Sequence, residues 1–326
     1  MHKVVIAPAI HQKGIDLLDA RPDVRYTVVD DVSEGSLKRA FEGIDGAVVR
    51  AIVVNRAVMS AAPGLKVLSR HGVGYNTVDV DHLNERRIPL TLTVNANAVS
   101  VAEQTLFFLL ALARNGLVYD RATRNADFKY RESLNSNDIA GKTLVIIGFG
   151  RIGRAVAERA RACAMRIVVF DPLLSAALVP EAGYATAATL DEALAIADYV
   201  SVHIPMTSGT KGLIGEREIA LMRPSASIIN TARGGIVDEQ ALIVALREKR
   251  LRGAALDVFE EEPPAPDHPL FSLDNVVLSP HSAGLTVECA ERMAIDSVTN
   301  LLAAFDGTLD PGVVANRDAI GFPSAQ

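Results

Sequence analysis

The sequence has only two cysteines, Cys163 and Cys289, among 326 residues. Neither stands at metal-ligand spacing or in a Cys-x-x-Cys pair, so neither a disulfide framework nor a thiolate metal site is expected, and no metal is predicted. Thiols of this kind fit a reducing, cytoplasmic compartment. Positive charge is also short: 33 Lys+Arg against 39 Asp+Glu give a formal charge of −6. That excludes a nucleic-acid surface built on clustered cations. The nearest thing to a basic run, Arg247–Arg252, falls at the predicted end of a helix, where cations complement the helix dipole. Long apolar runs are missing too. The longest, Leu106–Ala113, is far below the length of about 20 residues that spans a bilayer. The N-terminal Val4-Val5-Ile6-Ala7 stretch is too short for a signal peptide and reads as a first strand, so no membrane partner is expected.

The chain is long for a single hydrophobic core, because cores stop growing at about 250–300 residues; two domains are predicted. In the first hundred residues, strands at Val4–Ala7, Val24–Val29, Gly46–Val49, Lys66–Ser69 and Pro89–Leu92 alternate with helices at Gly14–Ala20, Ser36–Phe41 and Asp79–Arg86. Such alternation implies an α/β domain with a parallel sheet covered on both faces. Residues 98–115 form one strong helix, apolar almost all round, which reads as a helix buried between domains. A second alternating series follows, with strands at 143–147, 166–170, 199–204, 225–230, 253–258 and 276–279 and helices near 151–164, 189–197, 215–222 and 238–250. Six strands with helical crossovers are what a complete dinucleotide-binding domain requires. A last long helix spans about Val287–Phe305.

At the head of the second series, residues 144–154 read LVIIGFGRIGR, which is Gly148-x-Gly150-x-x-Gly153. Three glycines at this spacing are a weak signal alone. Here an apolar strand precedes them, an amphipathic helix follows, and the next strand ends at Asp171, 23 residues after Gly148. Gly148 suits the tight turn, Gly150 a close approach of backbone to a pyrophosphate, and Gly153 the packing of helix on strand. The helix N-terminus offers unpaired N–H groups to the phosphates. Asp171 would accept hydrogen bonds from the adenosine ribose and repel a 2′-phosphate. It is followed by Pro172 rather than an arginine, so NAD is expected over NADP. Gly72-x-Gly74 also follows a strand but lacks a third glycine.

Three polar residues stand just beyond strand ends in this second series: Arg233 in NTARGG, Glu262 in LDVFEEEPP and His281 in LSPHSAG. Ligands of open α/β sheets bind at the carboxyl ends of strands. An arginine can hold a carboxylate bidentately, a histidine can pass a proton near neutral pH, and a carboxylate on the other ring nitrogen fixes the tautomer. Beside a hydride carrier, that set would reduce the carbonyl of a 2-oxo acid. The small neighbours Ala232, Gly234 and Gly235 suggest close approach of a ligand to Arg233. Blander readings stand beside these: a surface arginine, a loop histidine, an exposed acidic run. Spacing alone does not choose among Glu260, Glu261 and Glu262.

Taken together, GFGRIG with a downstream FDP, HIP, NTARGG, DVFEEEP and SPHSAG occur in an order that resembles the D-specific 2-hydroxyacid dehydrogenase family, over nearly the whole chain. The resemblance implies Arg233 as the substrate-orienting cation, His281 as proton donor and acceptor, and Glu262 as its partner, five places after Asp257. It also places Arg151, Ile152, Ile204, Thr231 and Asp257 at the cofactor, and the backbone amides of Val73-Gly74 at the substrate carboxylate. It implies a Rossmann NAD-binding domain over residues 98–287, inserted into a flavodoxin-like substrate domain of residues 1–97 plus 288–326. Substrate and nicotinamide would meet between the domains, whose closure excludes water, and the enzyme would be a homodimer.

The substrate is a small 2-oxo or 2-hydroxy acid on this reading. Arg50 and Arg70 follow the predicted strands 46–49 and 66–69, and a second cationic pocket there would suit a phosphate or another anionic tail. The placement resembles phosphoglycerate dehydrogenases; structural, partly buried arginines are the competing reading. Past the last predicted helix only a short tail remains, so no C-terminal regulatory domain is expected. Hydroxypyruvate or glyoxylate reduction stays open. Two rivals are an NADH-sensing protein like the transcriptional corepressors on this scaffold, and a formate- or phosphite-type dehydrogenase. The absence of disordered arms weighs against the first, and the Val-Gly turn against the second.

Overall fold

The computed structural model describes residues 1–174 and 178–323. The chain divides into two compact units, one of Met1–Asn97 with Leu285–Gln326, the other of Ala98–Gly284.

The first unit holds five parallel strands: β1 (His2–Ala7), β2 (Val24–Val28), β3 (Gly46–Val49), β4 (Val67–Arg70) and β5 (Leu90–Leu92). Their order is β2-β1-β3-β4-β5, the doubly wound order in which the sheet reverses beside β1. β3 and β4 are buried along their whole length, as parallel strands covered on two faces must be. Successive side chains go to opposite faces. Val4, Ile6, Val48 and Val67 pack with Leu18, Val298 and Leu301 on one side. Val5, Ala7, Val49 and Leu68 pack with Leu37, Phe41, Val58 and Leu83 on the other. Each such buried Val or Leu contributes about 1.5–3 kcal/mol. The first face is closed by the Val287–Asp306 helix from the far end of the chain, and the Ser69 hydroxyl donates to the Ser297 carbonyl at 2.7 Å.

The second unit holds β6 (Thr143–Ile147), β7 (Arg166–Phe170), β8 (Ala185–Thr186), β9 (Tyr199–Val202), β10 (Ser227–Asn230), β11 (Gly253–Leu256) and β12 (Val276–Leu278). All pair in parallel, in the order β12-β11-β10-β9-β6-β7-β8. This is the Rossmann order with one extra strand. The third strand that the order requires is β8, only two residues long, whereas the sequence pattern supplied six strands without it.

The helix at Ala98–Arg114 belongs to the second unit, where Phe108, Leu109 and Leu112 pack on the sheet face made by Ile146, Ile229 and Ala255, beside the Arg151–Ala162 helix. Its apolar circumference is not fully enclosed: Phe107 is 51% and Leu110 39% exposed. The short helices Arg56–Ser60 and Gly116–Arg124 are additional to the sequence reading.

Candidate active site

β6 is buried at every residue and delivers the chain to Gly148 at its carboxyl end. Gly148 has φ +92°, and a side chain there would come within 2.6 Å of Ile204 Cγ2 and 2.7 Å of the His203 carbonyl oxygen. Ile204 therefore closes over the turn. At Gly153 a side chain would overlap the Gly148 carbonyl, so only glycine lets the Arg151–Ala162 helix lie this close to the strand. Gly150 is different. It caps the helix without a side-chain bond, and a methyl group built on it meets nothing within 4 Å. Open space thus lies before a helix N-terminus whose first amides have no intrahelical acceptor, which is where a dinucleotide pyrophosphate fits. Arg151 is exposed at the first helical position, and Ile152 is half-buried against the core.

Asp171 follows β7 and backs this turn. Its Oδ2 accepts the Phe149 N–H at 2.8 Å and its Oδ1 accepts the Leu173 N–H at 3.0 Å. Each oxygen keeps a lone pair, so a carboxylate held from behind still presents acceptors to ribose hydroxyls.

Across the sheet, His281 Nδ1 lies 2.7 Å from Glu262 Oε2. The carboxylate accepts the Nδ1–H, Nε2 stays outside this pair, and the imidazole side chain is 47% exposed. Glu262 Oε1 accepts the Phe259 N–H at 3.0 Å, which fixes the carboxylate in the loop after β11. Of Glu260, Glu261 and Glu262, only Glu262 bonds to the histidine among the described residues. The Glu260 N–H donates instead to Glu239 Oε2 at 3.2 Å. Glu239 Oε1 also meets His268 Nε2 at 2.9 Å, so the Glu239–Arg247 helix ties both ends of this loop.

Arg233 is half-buried on the turn after β10 and donates from Nη1 to the Ala232 carbonyl at 2.6 Å. Among the described residues no carboxylate pairs with it. The turn is shaped by Asn230, which was not anticipated. Its amide donates to the Arg233 carbonyl at 2.8 Å and accepts the Ala232 N–H at 3.0 Å. An asparagine closing a strand is the only sequence cue for this. The expectation that small neighbours mark a ligand is corrected at Gly234. A side chain there would overlap the carbonyl of Phe259, so the glycine admits the chain's own backbone. That contact joins the Arg233 turn to the loop that carries Glu262.

The remaining cofactor-side expectations differ in character. The Thr231 hydroxyl is turned inward, 3.1 Å from that of Thr105. Asp257 is 1% exposed, and its carboxylate is occupied by the loop of His281: it accepts the N–H groups of Ser282 at 2.8 Å and Ala283 at 2.9 Å, and the Ser279 hydroxyl.

In the first unit, Arg50 follows β3 directly and Arg70 is the last residue of β4. Arg70 is 8% exposed and holds backbone carbonyls. Its Nε donates to Gly74 at 2.8 Å, and its Nη1 to His71 and Val49. This guanidinium shapes the turn at 70–74, the structural use that was the competing reading for it. Arg50 is exposed and donates to the Ala9 carbonyl at 3.1 Å. The amides of Val73 and Gly74 have no acceptor among the described residues. Beside them His71 is buried, and burial with the nearby Arg50 charge pushes its pKa down to about 4.

Residues 106–283 match the model of the D-isomer specific 2-hydroxyacid dehydrogenase family's NAD binding domain. The chain belongs to this family. Its glycine turn, Asp171, Arg233, Glu262 and His281 all fall within the matched segment, and NAD is the cofactor of that domain. A D-3-phosphoglycerate dehydrogenase of Methanocaldococcus jannaschii is 36% identical over 315 residues, 96% of this chain. The chain spans only 59% of that relative's length. A glyoxylate reductase of Korarchaeum cryptofilum is 38% identical over 82% of this chain and 81% of its own length. A crystal structure of a Thermus thermophilus protein superposes with a TM-score of 0.86 at 35% identity, covering 95% of this chain and 98% of that one.

Proposed function

We propose that the protein transfers hydride between NAD(H) and a small D-2-hydroxy or 2-oxo acid. The observation that carries this is the His281–Glu262 bond of 2.7 Å, with Arg233 on an adjoining turn and a dinucleotide cradle on the same sheet. The glycine turn at 148–153 and Asp171 would hold NAD(H), which would supply or accept the hydride at the substrate's C2. Arg233 binds the substrate carboxylate and turns the C2 oxygen toward His281. His281 delivers a proton from Nε2 to that oxygen during reduction and removes it during oxidation. Glu262 keeps the Nδ1–H tautomer and stabilises the charged ring. In the first unit, the free amides of Val73 and Gly74 serve an acid group of the substrate.

A phosphorylated tail, as in the phosphoglycerate dehydrogenases, would rest on Arg50, since Arg70 is committed to backbone carbonyls. The proposal extends to a cytoplasmic homodimer. Exposed Phe107, Leu110, Leu117, Phe128 and Leu134 lie in one stretch of the second unit, and a second copy would cover them.

NADH oxidation against glyoxylate, hydroxypyruvate, pyruvate and 3-phosphohydroxypyruvate tests the reading. Turnover of one or more of these, abolished by His281→Ala, supports it. Preference for the phosphorylated acid that Arg50→Ala removes would identify a phosphoglycerate dehydrogenase. Bound NADH with no turnover of any acid would overturn the enzymatic reading in favour of an NADH-binding interaction protein.

A further inference from the structure

His281 has φ +52°, a left-handed backbone that residues other than glycine seldom adopt. Something must hold it there: the His281 N–H reaches the Ser279 carbonyl at 3.1 Å, and the other bonds that do so converge on one residue. The Asp257 carbonyl accepts the His281 N–H at 2.7 Å. The Asp257 carboxylate, almost wholly buried at the end of β11, accepts the next two amides of the loop, Ser282 and Ala283. On the other side of the histidine, the Ser279 hydroxyl donates to the same carboxylate and accepts from Gln104 Nε2 at 3.4 Å. Oδ1 thus takes two hydrogen bonds and Oδ2 one, all three from the loop that carries His281.

We propose that Ser279, acting through Asp257, is a positioning residue for His281: the Gln104–Ser279–Asp257 chain clamps the loop on both sides of the histidine and aims its ring at Glu262. The proposal rests on the reading of His281 as the proton carrier.

The test uses the full chain with Ser279→Ala, Ser279→Thr and His281→Ala, and reads three quantities. These are NADH affinity by fluorescence, kcat and KM for the best 2-oxo acid, and the proton resonance of the His281 Nδ1–H bonded to Glu262. Ser279→Ala should lower kcat by about tenfold to a hundredfold, as expected for a misplaced catalytic group, while NADH affinity stays within about twofold. The Nδ1–H resonance should broaden or vanish. Ser279→Thr, which keeps the hydroxyl, should restore both. A Ser279→Ala protein with weakened NADH binding and an unchanged resonance would make Ser279 a cofactor-side residue and overturn the proposal. Unchanged kcat and resonance would overturn it as well. Full turnover in His281→Ala would instead remove the underlying reading of the histidine.

Discussion

Gly234 faces the carbonyl of Phe259 at a separation that leaves no room for a side chain. The contact couples two loops, one carrying Arg233 and the other Glu262. Backbone on both sides means that neither partner can swing away as a flexible side chain would. Gly234→Ala should therefore push the Arg233 turn off the Glu262 loop. We expect kcat/KM to fall by about a hundredfold or more, and stability by about 1–3 kcal/mol, as overpacking does. Steady-state kinetics and urea titration measure the two effects. Wild-type kinetics in this variant would show that the turn and the loop are not coupled.

The histidine and its carboxylate should separate in their effects. His281→Ala removes the proposed proton carrier and should cost about 10²–10⁴ in turnover while NADH still binds. Glu262→Gln keeps an oxygen able to accept the Nδ1–H but loses the charge, so its loss should be smaller. Equal losses would mean that Glu262 does more than hold and stabilise the ring.

Cofactor choice should lie with Asp171. Its carboxylate is anchored by the Phe149 and Leu173 amides and would face a 2′-phosphate with like charge. Asp171→Ala should raise the NADPH-to-NADH ratio of kcat/KM by about tenfold or more, since like charges brought together cost several kcal/mol. An unchanged ratio would place discrimination elsewhere in the site.

Much of this architecture was legible in the residues. Strands such as β6 announce themselves because a parallel strand buried on both faces must be apolar throughout. β8 does not, for it is two exposed residues at a sheet edge with no pattern to read. The glycine turn, Asp171 and the strand-end trio were visible as residue types at spacings that the fold demands. The selection of Glu262 over its neighbours was not, because it depends on how the loop closes on His281. The use of Arg70 was hidden for a similar reason. Its Val49 partner is a backbone carbonyl on another strand, and carbonyls have no sequence signature. Asn230 and Ser279 look like ordinary loop polars until their partners are seen.

Two histidines bear on stability rather than catalysis. Burial lowers the pKa of His203 to about 3 and, with the Arg50 and Arg70 charges, that of His71 to about 4. Their unfolded value is near 6.5. Between that value and the folded one, the unfolded chain binds protons that the folded chain refuses. Stability from these groups is therefore fully present above about pH 6.5 and is lost as pH falls toward 4 and then 3. Each histidine contributes a slope of at most about 1.4 kcal/mol per pH unit. Urea titrations at pH 7 and 5 should show a smaller drop for His203→Gln than for wild type. Equal drops would mean that the ring is protonated in the folded state.

The inserted unit is continuous, Ala98–Gly284, whereas the sheet of the first unit is covered by the Val287–Asp306 helix. On a ribosome, these two facts set an order. The insert has its full complement of residues once Gly284 has emerged. Until then the earlier ninety-seven residues carry Val4, Ile6, Val48 and Val67 without Val298 and Leu301 to cover them. At about 5–20 residues per second, that wait lasts on the order of ten seconds or more. The nascent chain thus shows a bare apolar sheet face throughout the synthesis of its second unit, and the period of greatest aggregation hazard falls in translation, before the finished protein exists.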